Sequence, residues 1–447
     1  MPAVVTGVGV GGAAAALHLR RRRGTPRARR GWTFSYSPVA LAAFLAVFGL
    51  AFITPLGSLG ALLFLVAGLG VAAIRPGEML AALQREWLLV LLALWCVMSF
   101  AWSDYPSLTL RHGIQLGLTV VIAIAIGYRV APLTFIKILF AVSSLAGLAS
   151  LLSGRTRADG MGYLGIYASK NALAGASALL VIVALAVLID RRLSARWRLP
   201  ALASLMMGAL LLVMGKSSGA LVSTMGVVLV FGAIVLLQRL TPYARLVVVA
   251  LGLVLSGAAA VLLSSMTAEL SQWFLDATGK DVTLTGRTDL WAVAFQEIAE
   301  RPLLGVGFQA FWVHGNPLAE QLWAQFGISG RGGFHFHNTL ISNTVEIGLL
   351  GATLQAVIFF TALFSSLTWA IRSPSAASVF FALFMVRQFM LMWIEVSYFS
   401  QFDMSSVITI VAVCYGHSFR NAQRALIAGP PVLRTKGRPG LPAVIRA

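Results

Sequence analysis

Acidic residues are scarce in this chain. Its 447 residues hold 15 aspartates and glutamates against 34 lysines and arginines, and charged residues of both signs make up 11%. Soluble domains carry about 25% charge, so a freely soluble globule is excluded. Cysteine is nearly absent. Cys96 and Cys414 each fall inside a long apolar run, which excludes a disulfide framework or a cysteine-based metal centre. The apolar runs lack the period-2 alternation of an outer-membrane barrel. No GxGxxG or GxxxxGK[ST] follows a strand pattern, so a nucleotide loop is excluded as well.

What is present is apolar sequence: 58% hydrophobic residues and a mean hydropathy of +0.86. The runs predict an all-α integral membrane protein with about twelve transmembrane helices, near 38–54, 57–74, 87–102, 110–127, 132–153, 171–190, 199–214, 217–238, 243–264, 340–370, 376–394 and 404–418. The organisation read from this is a basic tail (1–37), nine helices (38–264), one large polar loop (265–339), three helices (340–418) and a second basic tail (419–447). The tails, rich in Gly, Ala, Pro and Arg, are expected to be disordered.

The net charge of +19 raises nucleic acid as a partner, and its distribution argues against that. The Arg20–Arg23 run, Arg75, Arg85, Arg129, Lys137, the Arg191–Arg198 cluster, Arg239, Arg245 and Arg372 all fall on one side once the N-terminus is placed in the cytoplasm. That is the positive-inside pattern, with attraction to anionic lipid added. It puts both termini inside and the large loop outside. No A-x-A-like site follows the first apolar run, which reads as a start-anchor.

Cations on the outer side run against topology and so carry more information. They include Arg111 and His112, then Arg155 and Arg157 beside Asp159, then Lys170 with Asn171, and Lys216 in a GKSSG turn. Arg387 falls within the eleventh span, toward its outer side, where an ionisable group costs about 2.5–3.5 kcal/mol on insertion scales. Pairing with Asp104, Asp159, Glu395 and Asp403 is the bland reading; an anionic ligand is the functional one. In the large loop, Leu290, Trp291, Ala294, Phe295 and Ile298 recur at helical spacing, with Thr288 as the expected N-cap and Arg301-Pro302 as the stop. Arg287 then precedes a helix N-terminus, a place that favours anions. Gly330–His337 reads as a flexible cationic stretch holding Arg331, His335 and His337. No acidic partner at metal-ligand spacing lies nearby in sequence, so no metal is expected. A general base or a donor to sugar or phosphate fits better. Glu346 lies too far along one continuous helix to face His337, so the two converge only if the chain breaks between them.

Three segments of this region, Arg287-Thr-Asp-Leu-Trp291, Arg301-Pro-Leu-Leu-Gly-Val-Gly-Phe308 and His337-Asn-Thr-Leu340 through Val345-Glu-Ile-Gly-Leu-Leu-Gly351, resemble the shared core of the O-antigen ligase and polysaccharide polymerase superfamily. Tyr167-Ala-Ser-Lys170-Asn171 is most similar to the exopolysaccharide-polymerase branch. The ligase pattern of a histidine and a glycine with ten residues between them is kept by His337 and Gly348; its loop arginine–leucine spacing is one residue shorter here, at Arg287 and Leu290.

The resemblance implies a GT-C-type glycosyltransferase fold with one large periplasmic loop in the inner membrane. It implies transfer from an undecaprenyl-diphosphate-linked glycan without a metal ion or other cofactor, and work beside a flippase and a chain-length regulator. Arg287 would hold the departing diphosphate, with Arg331, Lys216 and Lys170 as further candidates, and His337 would be the base. Lys170, Asn171, Lys216, Arg331, His335, Glu346 and Arg387 form the wider substrate-binding set. Polymerase is the leading expectation, ligase the runner-up. From another class comes a multi-helix transporter of an anionic sugar, which the lack of a 6+6 repeat disfavours.

Overall fold

The computed structural model describes residues 37–428, apart from 255–285 and the isolated positions 159, 161, 191, 238, 242, 249, 253, 332 and 398. Most of the expected ninth span, the first part of the large loop, both tails and Asp159 therefore lie outside the described residues.

Helices follow one another as α1 (Pro38–Ala51), α2 (Ser58–Ala73), α3 (Pro76–Arg85), α4 (Trp87–Met98), α5 (Pro106–Arg129), α6 (Pro132–Ser153), α7 (Lys170–Ile189), α8 (Arg198–Met214), α9 (Ser218–Leu237), α10 (Arg287–Glu300), α11 (Pro317–Gln325), α12 (Thr339–Arg372), α13 (Ala376–Leu391) and α14 (Met404–Ala428). Among the described residues the fold is helical, with a single isolated bridge between Thr156 and Tyr163. Six spans are long and apolar enough to cross a bilayer, α5, α6, α7, α8 with the turn before it, α9 and α12. A seventh arises if α2 and α3, bent by 100° at Arg75, count as one.

Among the described residues, length and composition thus support six or seven of the about twelve expected spans, and the ninth falls mostly outside those residues. The reason is local. Several apolar runs fold as shorter helices of 10–17 residues, among them α1 and α13. The run at 87–102 ends its α-helix at Met98 and tightens to a 3-10 turn over Ser99–Ala101. Short helices of this kind suit a frame that keeps irregular backbone inside the protein rather than against lipid.

α13 shows why length alone misleads. It is apolar around its circumference and buried along almost its whole length, as a helix enclosed by other helices should be. It packs against α6, α7, α9 and α12. Its N-terminus is closed by a capping box between Ser375 and Ser378. Its C-terminus gives way at Met392 to irregular chain that reaches α14.

The large loop is more ordered than its polarity suggested. α10 begins earlier than expected: the N-cap is Gly286 (φ +87), two residues before Thr288, and no side chain caps it. α11 was not foreseen; it starts at Pro317 behind Asn316, whose side chain accepts from the backbone of Leu318 and Ala319. Leu290, Ala294, Phe311, Leu322, Trp323 and Phe336 form an apolar core that belongs to the loop itself.

α12 runs from Thr339 to Arg372 with a break at Gly348 (φ 66, ψ 178). The Pro302–Phe308 segment lies in that break. Backbone N–H groups of Val306 and Gly307 donate to the carbonyls of Val345 and Glu346 at 2.9 Å, while Leu349 and Leu350 donate to Pro302 and Leu303 at 2.9 and 3.4 Å. The indole of Trp95, from α4, takes the freed carbonyl of Ile347 at 3.0 Å. The motif's glycines follow from this approach. A Cβ on Gly305 would stand 2.6 Å from the backbone of Glu346 and Gly348, and one on Gly348 would overlap Leu303.

Candidate functional site

The stretch from Phe334 to His337 alternates ring by ring. Phe336 is buried in the loop core, 4.8 Å from Phe311 and 5.0 Å from Trp312 between ring centroids. Its carbonyl accepts from the indole of Trp291 on α10 at 2.8 Å. With the phenyl side pinned, the histidines on either side are presented together, their rings 4.3 Å apart. His337 adopts a left-handed conformation (φ 51) just before α12, whose N-cap is Asn338. The segment expected to be flexible is therefore held at its histidine end.

Glu395 meets them from the chain that follows α13. Its Oε2 lies 3.2 Å from His335 Nε2 and 3.8 Å from His337 Nδ1, with all three side chains about a quarter exposed (27%, 25% and 29%). Asn171, at the start of α7, donates to Oε1 at 3.4 Å. The carboxylate is positioned by Thr339: its hydroxyl donates to the Glu395 carbonyl at 2.8 Å and accepts from Ser397 N–H at 3.1 Å, and its N–H donates to Met392 O at 2.8 Å. Burial alone raises the pKa of this carboxyl. The hydrogen bond from His335, the closeness of His337, and the charge of both rings when protonated more than offset this and hold it at about 2, so Glu395 stays ionised at neutral pH.

The proton on His335 can be placed by its partners. Nδ1 accepts from His337 N–H at 3.1 Å, so the ring proton is on Nε2, aimed at Glu395. His337 Nδ1 is buried without a hydrogen-bond partner, and Glu395 is the acceptor nearest to it. A proton on that Nδ1 leaves Nε2 as the basic nitrogen. One atom each from His335, His337 and Glu395 lies within 4.8 Å of the others, close enough to ligate a metal. This corrects the expectation that no acid lies nearby: Glu395 is distant in sequence and adjacent in space. The ring chemistry still disfavours a ligand role for His335. A metal-bound histidine ordinarily donates its other ring N–H, whereas here that nitrogen accepts.

Glu395 also lines a cavity of about 420 Å³ bounded by α1, α6, α7, α9, α13 and the chain from α13 into the start of α14. That volume lies in the usual range for small-molecule sites. Asn171, Arg387, Gln388 and Ser397 face it. Arg387 is 6% exposed, and its Nε has no partner among the described residues. A buried cation without a counter-charge is costly and is a functional candidate by default.

The other sequence candidates are placed differently. Arg287, half-buried in the first turn of α10, is tied to the histidines through Trp291 and does not line the cavity. Arg331 pairs with Glu320 at 3.1 Å. Lys216 is exposed in the turn after α8 with φ 48. Lys170 packs its stem against Gly162. Glu346 is buried, and its carboxylate accepts from Gln309 N–H at 3.1 Å. His337 lies outside α12 and the break comes after Glu346, so Glu346 locks the Gly305–Gln309 turn and does not join the histidines. Sequence reasoning missed Glu395 as a site residue and treated it only as a counter-charge. The signal was its rarity, one of 15 acids, lodged at the end of an apolar run.

A family model described as O-antigen ligase matches residues 202–356. The exopolysaccharide production protein ExoQ of Rhizobium meliloti (strain 1021) is 32% identical over 313 residues, covering 68% of this chain and 71% of that protein. The chain belongs to the O-antigen ligase family. The match of this O-antigen ligase family model holds Arg287, Arg331, His335, His337, Glu346 and Gly348, and ends before Arg387 and Glu395. As a family member the chain is a multi-pass membrane protein, in keeping with its apolar helices.

Proposed function

We propose that this protein extends a lipid-linked polysaccharide, transferring glycan from an undecaprenyl-diphosphate carrier to the hydroxyl of an incoming repeat unit at the outer face of the inner membrane. The observation that carries the reading is Arg387. It is a buried cation with an unpartnered Nε in the wall of a cavity whose rim holds Glu395 and, through it, His335 and His337.

In this reading Arg387 grips the diphosphate from below, and Arg287 adds charge from the loop. The guanidinium fork matches phosphate oxygens and stays protonated. The bond between the anomeric carbon and the phosphate oxygen breaks, and its electrons leave with the diphosphate. The acceptor oxygen forms the new bond from the opposite face, inverting the centre, and its proton passes to Nε2 of His337. Glu395 then stabilises the imidazolium, as a carboxylate does in a catalytic triad. Preorganised cations at the departing anion supply the largest share of such catalysis, so no metal is required. Lys170, Asn171, Lys216 and Arg331 attract the anionic carrier to this face. Both termini lie in the cytoplasm, and a flippase and a chain-length regulator supply and limit the substrate.

Ligation of finished glycan to another acceptor is the second reading, favoured by the description of the matching family model. The test is purified protein in liposomes with undecaprenyl-diphosphate-linked repeat units, products resolved on a gel. A ladder abolished by His337→Ala and by Arg387→Met is expected. Transfer that needs a different acceptor makes the protein a ligase. Normal ladders from both variants at normal protein levels remove the proposal.

A further inference from the structure

Beside Arg387 stands Gln388, 1% exposed, with both amide atoms buried and unpartnered among the described residues. It too lines the cavity. α13 is otherwise largely apolar, so an unsatisfied amide there is as conspicuous as the arginine before it. Buried polar groups are ordinarily hydrogen-bonded, and a native exception calls for a reason.

The chemistry of the amide narrows its partner. It is neutral, with two donor hydrogens on nitrogen and an acceptor oxygen. A phosphate only accepts, so it satisfies the nitrogen and leaves the oxygen bare. A polyprenyl chain satisfies neither. A sugar hydroxyl or acetamido group both donates and accepts, and satisfies both. Ser397, also facing the cavity, has a buried hydroxyl without a partner among the described residues. The unmet groups on these walls are therefore one cation, one amide and one hydroxyl, complementary to a charged phosphate joined to a hydroxyl-bearing ring.

We propose that Gln388, together with Ser397, reads the sugar joined directly to the carrier diphosphate and so sets donor specificity. This rests on Arg387 as the diphosphate anchor.

The test uses the full chain in nanodiscs and two probes, undecaprenyl diphosphate and the same carrier bearing one sugar. Wild type is expected to bind the glycosylated probe more tightly. Gln388→Met keeps the side-chain volume and removes the amide. It is expected to bind the bare carrier as wild type does and the glycosylated carrier about tenfold to a hundredfold more weakly, the loss expected for two neutral hydrogen bonds. Arg387→Met is expected to weaken both. Equal wild-type affinities for the two probes, or a Gln388→Met variant that changes both affinities alike or neither, overturns the assignment, and the wild-type comparison decides it even where the variant does not fold. An Arg387→Met variant that binds both probes normally overturns the diphosphate anchor instead, and so separates failure of the two readings.

Discussion

Replacing Arg387 by methionine should move stability and function in opposite directions. In the empty protein the guanidinium is 6% exposed and unpaired at Nε, so it carries a desolvation cost that nothing in the described fold offsets. Exchange of buried charges for apolar side chains of like size is often stabilising by about 1–4 kcal/mol. Arg387→Met should therefore raise the melting temperature of the detergent-solubilised, substrate-free protein by a few degrees. On the proposed function the same change also removes charge-assisted hydrogen bonds to the diphosphate. At roughly 1.5–3 kcal/mol and 1.4 kcal/mol per decade, carrier affinity should fall about tenfold to 150-fold. Added carrier should raise the melting temperature of wild type and leave that of the variant unmoved. The assay is a thermal melt followed by size-exclusion fluorescence, with and without undecaprenyl diphosphate, beside a turnover measurement. A variant that melts well below wild type without carrier would show Arg387 to be structural, and one with wild-type turnover would refute its role outright.

Glu395→Gln should lower turnover by about 10²-fold or more, within the range for acid–base groups. Glu395 also links stability to pH. Its carboxyl is lowered from 4.5 to about 2 in the folded protein, so its contribution is complete above about 4.5 and lost as pH falls through about 2; melts of wild type should show that loss and melts of Glu395→Gln should lack it. Gly348→Ala combines a left-handed φ of +66 with a Cβ 2.5 Å from Leu304 N. About 1–3 kcal/mol of backbone strain and a similar overlap cost should appear as a sharply reduced yield of folded protein, and wild-type yield and melting would contradict the packing described for the break. Trp291→Phe deletes the hydrogen bond to Phe336 O at a cost of about 0.5–1.5 kcal/mol, and turnover should fall by more than stability does; an equal fall in both would mean that the indole does not position the histidines.

Apolar runs placed most of the membrane helices, because burial in lipid and burial in protein both select the same residues. For that reason they do not tell a crossing from an enclosed helix: α13 is short and buried along almost its whole length, while the equally short α4 keeps an exposed apolar face at Trp87, Leu91, Leu94 and Met98. Local periodicity found α10. It missed α11, which is only nine residues long and rests on the Asn316 cap. His335 and His337 were legible as candidates. Their partner was not, since Glu395 lies 58 residues beyond His337 and approaches only through the Thr339 hydrogen bonds. Glu346 reads in the sequence as a binding-site acid with a structural role slightly ahead of a catalytic one; the turn it locks, 37 residues upstream, was not legible.

The stitching of Pro302–Gly307 into the break of α12 sets how substrate arrives. A segment joined to a membrane helix by four backbone hydrogen bonds cannot swing aside as a lid at that point. On the function proposed above, a carrier whose polyprenyl tail stays in the bilayer would then slide its diphosphate in sideways, between helices, at the depth of Arg387. On the same reading the water-soluble polymer would leave past the histidines. Two routes at right angles would keep the oily and the hydrated ends of the same molecule from crossing, so that each addition ends with the product already facing outward.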